Sequence, residues 1–430
     1  MKIFTCTLLG WILFLSALVS CKNSDHRVNP ADENATPQVR ANSVENLNKP
    51  YVILVSIDGY RWDYSEKFNP KAIQNIAKRG VRARSLIPVF PSLTFPNHYS
   101  IVTGRYASHH GIVSNQFYDP SWGADYRLSD PKSVTDGRWY GGDPLWSAAE
   151  RAGLLTASYF WVGSEAEING FRPTYYKEHN SSTSNRDRVK QVIQWLKLPP
   201  RERPHLLFLY FSSVDNAGHS YGTESPEVRN AVIDVDKEIE YLMSELDLLN
   251  LPVNVLLVSD HGMQNLDESK VVELSRFIDP RIIKKSDSSG AIIKIYEPDT
   301  KTRNKIFNAL KANENGFKVY LRSQLPERYH YSDSERVGDI VVVGDPGYYV
   351  RVRSSKQGKP FRNQATHGWD PNHTPMHGVF YAYGPNIKKR GTIESFENVH
   401  IYPLVTHILG IESPIPHDGN IEVLKPIYQN

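Results

Sequence analysis

The chain has 430 residues, and its 50 Lys and Arg stand against 47 Asp and Glu for a formal charge of +3, a balance that excludes a polybasic nucleic-acid binder or an acidic tail protein. With 40% hydrophobic, 11% aromatic and 23% charged residues it is globular in composition, neither disordered nor many times membrane-spanning. No block recurs at a fixed spacing, which excludes collagen-like and solenoid architectures.

At the start, Lys2 precedes an apolar stretch over residues 3–19, and Lys22-Asn23-Ser24-Asp25 follows it. This reads as an export signal; the alternative, a retained membrane helix, sits at the short limit for crossing about 30 Å of hydrocarbon. Leu18-Val19-Ser20-Cys21 resembles a bacterial lipobox, so cleavage would leave Cys21 to be lipidated at a new N-terminus. The expected layout is a lipoprotein signal peptide over 1–20, a lipidated flexible tether over 21–50 and one folded domain over 51–430. The tether is expected because Asn, Asp, Ser, Glu and Pro dominate it. The expected address is the bacterial cell envelope, periplasmic or outer-membrane, with the chain anchored rather than spanning. Cys6 and Cys21 are the two cysteines, so the domain has neither disulfides nor thiolate chemistry.

Residues 51–57, 205–211 and 253–258 are apolar, β-branched runs, as expected of strands covered on both faces. Each is followed by acidic or imidazole residues: Asp58-Gly59, Asp215, and Asp260-His261. Helical patterns near 69–78, 188–197 and 227–248 lie between them, and further strands are expected near 291–296, 340–343 and 378–383. The alternation predicts an α/β domain with a mixed sheet, its ligand crevice at the carboxyl ends of the strands.

Asp58, Asp215, His219, Asp260, His261 and His367 collect at or beyond those ends. Asp215 and His219 are one helical turn apart, and Asp260-His261 leave a strand together. Three carboxylates and three imidazoles divide into two sites of three ligands, with open positions for substrate. Such ligation suits catalytic zinc, and two neighbouring zinc ions suit phosphoryl transfer. The nucleophile candidate is Thr94, in Pro91-Ser92-Leu93-Thr94-Phe95-Pro96-Asn97-His98-Tyr99, ahead of a helical stretch over 97–103. A metal would lower the pKa of its hydroxyl, and a helix N-terminus would favour a phosphate. From local sequence alone, a helix cap is the favoured reading of Thr94 or Ser92.

The stretches VSIDGYR at 55–61, PSLTFPNHYSIVTG at 91–104, GIVSN at 111–115, WVGSEAEING at 161–170, DNAGHSYG at 215–222, SDHGM at 259–263 and HGWD at 367–370 together resemble the nucleotide pyrophosphatase/phosphodiesterase family of the alkaline phosphatase superfamily, in its compact bacterial form. The resemblance implies a three-layer sandwich with a largely parallel central sheet and helices on both faces. It also implies two Zn2+ per chain, one held by Asp58, Asp260 and His261 beside the nucleophile Thr94. The other would be held by Asp215, His219 and His367, to stabilise the leaving oxygen and activate water. Asn115 would hydrogen-bond a non-bridging phosphate oxygen. Phe95 and Tyr210 would stack on a nucleobase, with Trp161, Glu165 and Tyr176 near the same pocket. His373 and His377 compete with His367, which is preferred on its motif. His98, His109, His110, His179 and His205 receive no chemical role.

The implied activity is hydrolysis of nucleotide phosphodiester and pyrophosphate bonds to nucleoside 5′-monophosphates through a phospho-threonine intermediate. Partners would be a nucleotide or other small phosphodiester and, through the lipid, a membrane, with no specific nucleic-acid duplex. A phosphate monoesterase, a choline-phospholipid phosphodiesterase and a non-catalytic binding lipoprotein remain as alternatives. The oligomeric state is not indicated.

Overall fold

A strand without a polar face is stable only between two layers, and three such strands set the architecture. The computed structural model describes residues 41–353 and 363–430. In chain order the principal strands are β1 (Tyr51–Ile57), β2 (Val81–Ala83), β3 (Thr156–Tyr159), β4 (Tyr175–Lys177), β5 (Leu206–Phe211), β6 (Val253–Val258), β7 (Lys285–Ser288), β8 (Ile292–Tyr296), β9 (Phe317–Leu321), β10 (Ile340–Gly344), β11 (Phe380–Tyr383) and β12 (Gly391–Ile393). The principal helices are α1 (Lys71–Arg79), α2 (Thr94–Thr103), α3 (Leu145–Arg151), α4 (Asn185–Leu196), α5 (Ser213–Tyr221), α6 (Pro226–Leu249), α7 (Thr300–Lys311) and α8 (Ile401–Leu409).

The central sheet has eight strands in the order β12-β2-β11-β6-β1-β5-β3-β4. All run one way except β11, which is antiparallel to both neighbours. Ser56 of β1 pairs with Tyr210 of β5 on one side and Val258 of β6 on the other, so the three strands end nearly level. Alternate side chains serve two cores. Val52, Leu54, Leu206, Phe208, Leu256 and Val258 face a layer that includes α2, α3 and α8. Ile53, Val55, Leu207, Leu209, Val255 and Leu257 face α1, α4 and α6. This is the expected three-layer α/β sandwich of the alkaline phosphatase type. Local chemistry supports the helices: Ser225 caps α6 by accepting from the Val228 N–H, Pro226 opens its first turn, and Asn250 closes it in the left-handed conformation.

The strands expected near 291–296 and 340–343 belong to a separate antiparallel sheet, β7-β8-β10-β9, with its own core of Ile293, Ile295, Val319 and Val342 against Ile306 and Leu310 of α7. A β-hairpin, Gln116–Asp119 with Ala124–Arg127, meets this sheet through its charged and polar groups.

The expected signal peptide, Cys21 and the expected tether as far as residue 40 lie outside the described residues. The last ten residues expected to be tether, 41–50, instead pack on the domain. Asn42 is fully buried. Its side chain donates to the carbonyls of Pro200 (2.9 Å) and Arg203 (2.7 Å) and accepts from the Leu155 N–H (2.8 Å). Asn46 donates to the Ala152 carbonyl at 2.7 Å, and Lys49 Nζ to those of Leu409 and Gly410 at 2.9 and 2.7 Å. A polar composition suggested disorder, but here the polar groups satisfy backbone far along the chain. No helix among the described residues is long and apolar enough to cross a membrane. Asn42→Ala should lower the unfolding free energy by about 2–3 kcal/mol, since it orphans a buried N–H and two carbonyls; urea titration of the full chain measures it, and an unchanged midpoint would contradict the docking of 41–50.

Candidate active site

Asp58 follows β1 directly, and Asp260 and His261 lie just beyond β6. Asp215 sits in the first turn of α5, just after β5, and His219 one turn later. Two glycines let these segments close up. Gly59 has φ +66°, and a Cβ on it would lie 2.9 Å from the Cα of Asp215. A Cβ on Gly218 would lie 2.4 Å from the sulfur of Met263, in the loop after β6. Thr94 is the first residue of α2, whose N-cap is Leu93, so its hydroxyl is not used as a cap. His367 follows the short strand Ala365–Thr366.

The six expected ligands converge. Asp58, Asp260 and His261 offer ligand atoms within 4.8 Å of one another, and so do Asp215, His261 and His367. His261 is therefore shared between two groupings. His219 stands beside the second, its Nε2 3.5 Å from Asp215 Oδ1. Thr94 Oγ1 lies 3.1 Å from His261 Nε2, and that nitrogen also faces Asp260 Oδ2 at 3.0 Å and Asp58 Oδ1 at 3.5 Å. All three histidines are held the same way. Nδ1 of His219, His261 and His367 lies 2.8, 2.8 and 2.9 Å from the backbone carbonyls of Ala365, Gly262 and Ser92. Each Nδ1–H donates outward, and each Nε2 lone pair points to the centre, as in histidines that ligate metals.

Lone pairs thus crowd one spot with few protons between them. The buried oxygens Asp58 Oδ1, Asp215 Oδ1 and Asp260 Oδ2 have no hydrogen-bond donor. In the metal-free protein, protons must fill that place. Burial, with the charges of Asp260 and Asp215, holds the Asp58 carboxyl well above the usual carboxylate range. Burial pushes Asp215 up to about 7 despite His261. Asp260 stays well below that range although burial opposes it, because His261 and His98 both face it. Burial works against the His261 cation, yet Asp260 and Asp58 carry it to about 10. Burial, with neighbouring His261 and His219, keeps His367 neutral. Orphaned carboxylate oxygens and oriented imidazole nitrogens fit a divalent transition metal.

A cavity of about 570 Å³ opens beside the cluster, lined by Asp58, Thr94, Asp215, His219 and His367 together with Phe95, Asn115 and Tyr210. Asn115 Oδ1 accepts the Phe95 N–H at 2.9 Å, which turns the amide NH2 away as a free donor. The aromatic residues expected at the pocket divide. Phe95 and Tyr210 reach the cavity wall; Trp161 and Tyr176 are not among its lining residues. Trp161 is fully buried and donates its indole N–H to the His98 carbonyl at 2.9 Å, while the Tyr176 hydroxyl accepts from Arg172. Tyr210 has a second attachment: its hydroxyl donates to Asp58 Oδ2 at 2.6 Å, and its ring packs edge-on against His98 and Phe160.

Two histidines left without a role lie at the site. His98 is fully buried, with Nδ1 2.9 Å from the Thr94 carbonyl and 3.3 Å from Asp260 Oδ2, and Nε2 2.8 Å from Ser56 Oγ. Its position four residues after Thr94, on one face of α2, was the available signal. His179 lines the cavity with Glu165 and Glu178, and its backbone N–H donates to the Glu165 carboxylate. Its segment precedes α4 irregularly and carried no periodic signal. His377 is engaged by Ser85 and the Pro371 carbonyl, and His373 Nε2 lies 3.4 Å from Gln264.

Comparison with known proteins agrees with this geometry. A family model described as type I phosphodiesterase / nucleotide pyrophosphatase matches residues 52–370. Human ectonucleotide pyrophosphatase/phosphodiesterase family member 1 is 34% identical over 392 residues, covering 89% of this chain and 42% of that protein; the chain thus spans under half the length of that relative. Human family member 5 is 33% identical over 374 residues, covering 86% of this chain and 76% of that protein. The solved structure of murine family member 5, in an inactive form in complex with AMP, superposes with a TM-score of 0.83 at 32% identity over 89% of this chain and all of that one. The chain belongs to the type I phosphodiesterase/nucleotide pyrophosphatase family.

Proposed function

We propose that the chain is a zinc-dependent phosphodiesterase that hydrolyses phosphodiester and pyrophosphate bonds of nucleotides and releases nucleoside 5′-monophosphates. The observation that carries this reading is the Thr94 hydroxyl, 3.1 Å from His261 Nε2 and beside three buried carboxylate oxygens without donors, at the wall of a cavity large enough for a nucleotide. Asp58, Asp260 and His261 would hold one zinc ion, and Asp215, His219 and His367 a second. Bound zinc supplies Lewis acidity that lowers the pKa of a hydroxyl and stabilises a leaving oxygen.

Thr94 Oγ attacks phosphorus as the bond to the leaving oxygen breaks, the hydroxyl proton ending on the departing oxygen, and a phosphodiester is left on the threonine. Water then attacks the same phosphorus; the Thr94 Oγ–P bond breaks, the hydroxyl regains a proton and the monophosphate leaves. Asn115 presents its amide NH2 to a non-bridging oxygen, and the N-terminus of α2 favours the anion. Tyr210 and His98 hold Asp58 and Asp260 in place through the contacts described. Among the described residues lining the cavity there is no Lys or Arg, which favours a singly charged diester over a doubly charged monoester. The nucleotide class is supported by the AMP bound to the murine relative and by Phe95 at the wall. On sequence grounds we also infer that residues 1–20 are removed and Cys21 is lipidated, anchoring the enzyme in the cell envelope; Cys21→Ser should then move the protein from the membrane to the soluble fraction.

Zinc-loaded protein should prefer bis-p-nitrophenyl phosphate over p-nitrophenyl phosphate by at least about 100-fold in kcat/KM, and Thr94→Ala should lower the diester rate by about 10³-fold or more. Monoester preference, or a fully active Thr94→Ala, would sink the reading. p-Nitrophenyl thymidine 5′-phosphate should outrun p-nitrophenylphosphorylcholine, and the reverse order would assign the site to lipid head groups. Chelator-stripped protein titrated with zinc should bind two ions per chain with a rise in Tm, and Tyr210→Phe should weaken uptake by about 10- to 100-fold, as loss of a ligand's hydrogen-bond partner does.

A further inference from the structure

Lys294 is a lysine inside a sheet. It lies on β8, is 2% exposed, and has Asp287 of β7 opposite it on one side and Val341 of β10 on the other. A buried ammonium is tolerated only where it is paired and hydrogen-bonded. Here Nζ donates to the backbone carbonyl of Gln116 at 2.7 Å and lies 5.8 Å from the centre of the Phe117 ring. Burial lowers its pKa to about 7 against the pull of Asp287, so the placement is electrostatically costly.

The carbonyl it holds belongs to the residue after Asn115. Asn115 itself is fixed on its other sides: Oδ1 accepts the Phe95 N–H, and its carbonyl accepts the Leu128 N–H at 3.0 Å. The rest of the hairpin is tied to the second sheet farther out. The Tyr118 N–H donates to the Tyr296 hydroxyl at 3.1 Å, and Lys285 pairs with Asp125. Asp119 pairs with Arg336 at 2.7 Å. Gln116 has a second, exposed tie: its side-chain amide donates to the Ser288 carbonyl of β7 at 3.4 Å. Of all these ties, the two at Gln116 are the ones next to the cavity-lining Asn115, and of those two Lys294 is the one that holds the backbone.

We propose that Lys294 is a positioning residue for Asn115: by gripping the Gln116 carbonyl from beneath the hairpin, it fixes the backbone that aims the Asn115 amide at the substrate phosphate. The proposal rests on the reading above, in which Asn115 donates to that phosphate. It gives the second sheet a part in catalysis although none of its four strands lines the cavity.

A double-mutant cycle on the full, zinc-loaded chain tests it, with bis-p-nitrophenyl phosphate as substrate. Asn115→Ala should lower kcat/KM by about 10²-fold, as loss of one aimed donor does. Lys294→Met should lower it by about 10-fold, mainly through kcat, because a small misplacement is enough. In the Asn115→Ala background Lys294→Met should cost less than about twofold, the signature of two residues acting as one unit. Lys285→Met, which cuts an outer tie, should leave kcat/KM unchanged. Zinc stoichiometry should be the same throughout. Additive losses in the double variant, or full activity of Lys294→Met, would overturn the proposal. So would a fully active Asn115→Ala, and loss of activity in Thr94→Ala would then show that the phosphodiesterase reading itself survives. If Lys294→Met does not fold, as judged by circular dichroism, Lys294→Gln takes its place in the cycle, its shorter amide falling short of the Gln116 carbonyl.

Discussion

Three carboxylates share one poorly hydrated place, and their mutual repulsion is the constraint that the rest of the molecule answers. Asp58 and Asp260 are almost wholly buried, Asp215 nearly so, and one oxygen of each lacks a donor. Side by side, such groups cannot all be ionised unless a cation stands among them. Without a metal the cluster shares protons, which is why His261 binds a proton so tightly and Asp58 and Asp215 give theirs up so reluctantly. Cation binding and proton release are therefore one equilibrium at this site.

The fold meets the constraint by making the strand ends rigid. β1, β5 and β6 are parallel, adjacent and level, so residues just past them meet without long loops. Both faces of each strand are packed, which leaves the ends little freedom to relax away from an unfavourable charge. A ring of hydrogen bonds then orients the ligands: three backbone carbonyls for the imidazoles, Tyr210 for Asp58 and the Gly59 N–H for Asp260, which His98 also faces at 3.3 Å. Gly59 and Gly218 allow the neighbouring segments to approach closely enough for Asp215 to join.

What the sequence revealed follows from this arrangement. Strands buried on both faces are continuous apolar runs, so β1, β5 and β6 and the acidic residues behind them stood out. Longer-range choices did not. Tyr210 lies within such a run, and its pattern shows that it is buried but not that its hydroxyl meets Asp58. Asn42 looks like tether because its partners at Leu155, Pro200 and Arg203 are more than a hundred residues away. Trp161 and Phe95 read alike as pocket aromatics, yet Trp161 turns beneath the site to reach the His98 carbonyl. β8 and β10 were visible as strands, but only their antiparallel pairing with β7 and β9 separates them from the central sheet.

On the proposed reading, charge balance explains the choice of substrate. Three carboxylates against two divalent cations leave one net positive charge, which a singly charged diester cancels. Among the described residues the cavity wall adds no Lys or Arg, but it does add Glu165 and Glu178. A monoester would bring a second negative charge into a low-dielectric space where no described side chain of the wall is cationic and two further carboxylates oppose it. Selectivity for diesters then comes from the wall as much as from the ligands, because the same metal cluster lined with cations would accept the extra charge.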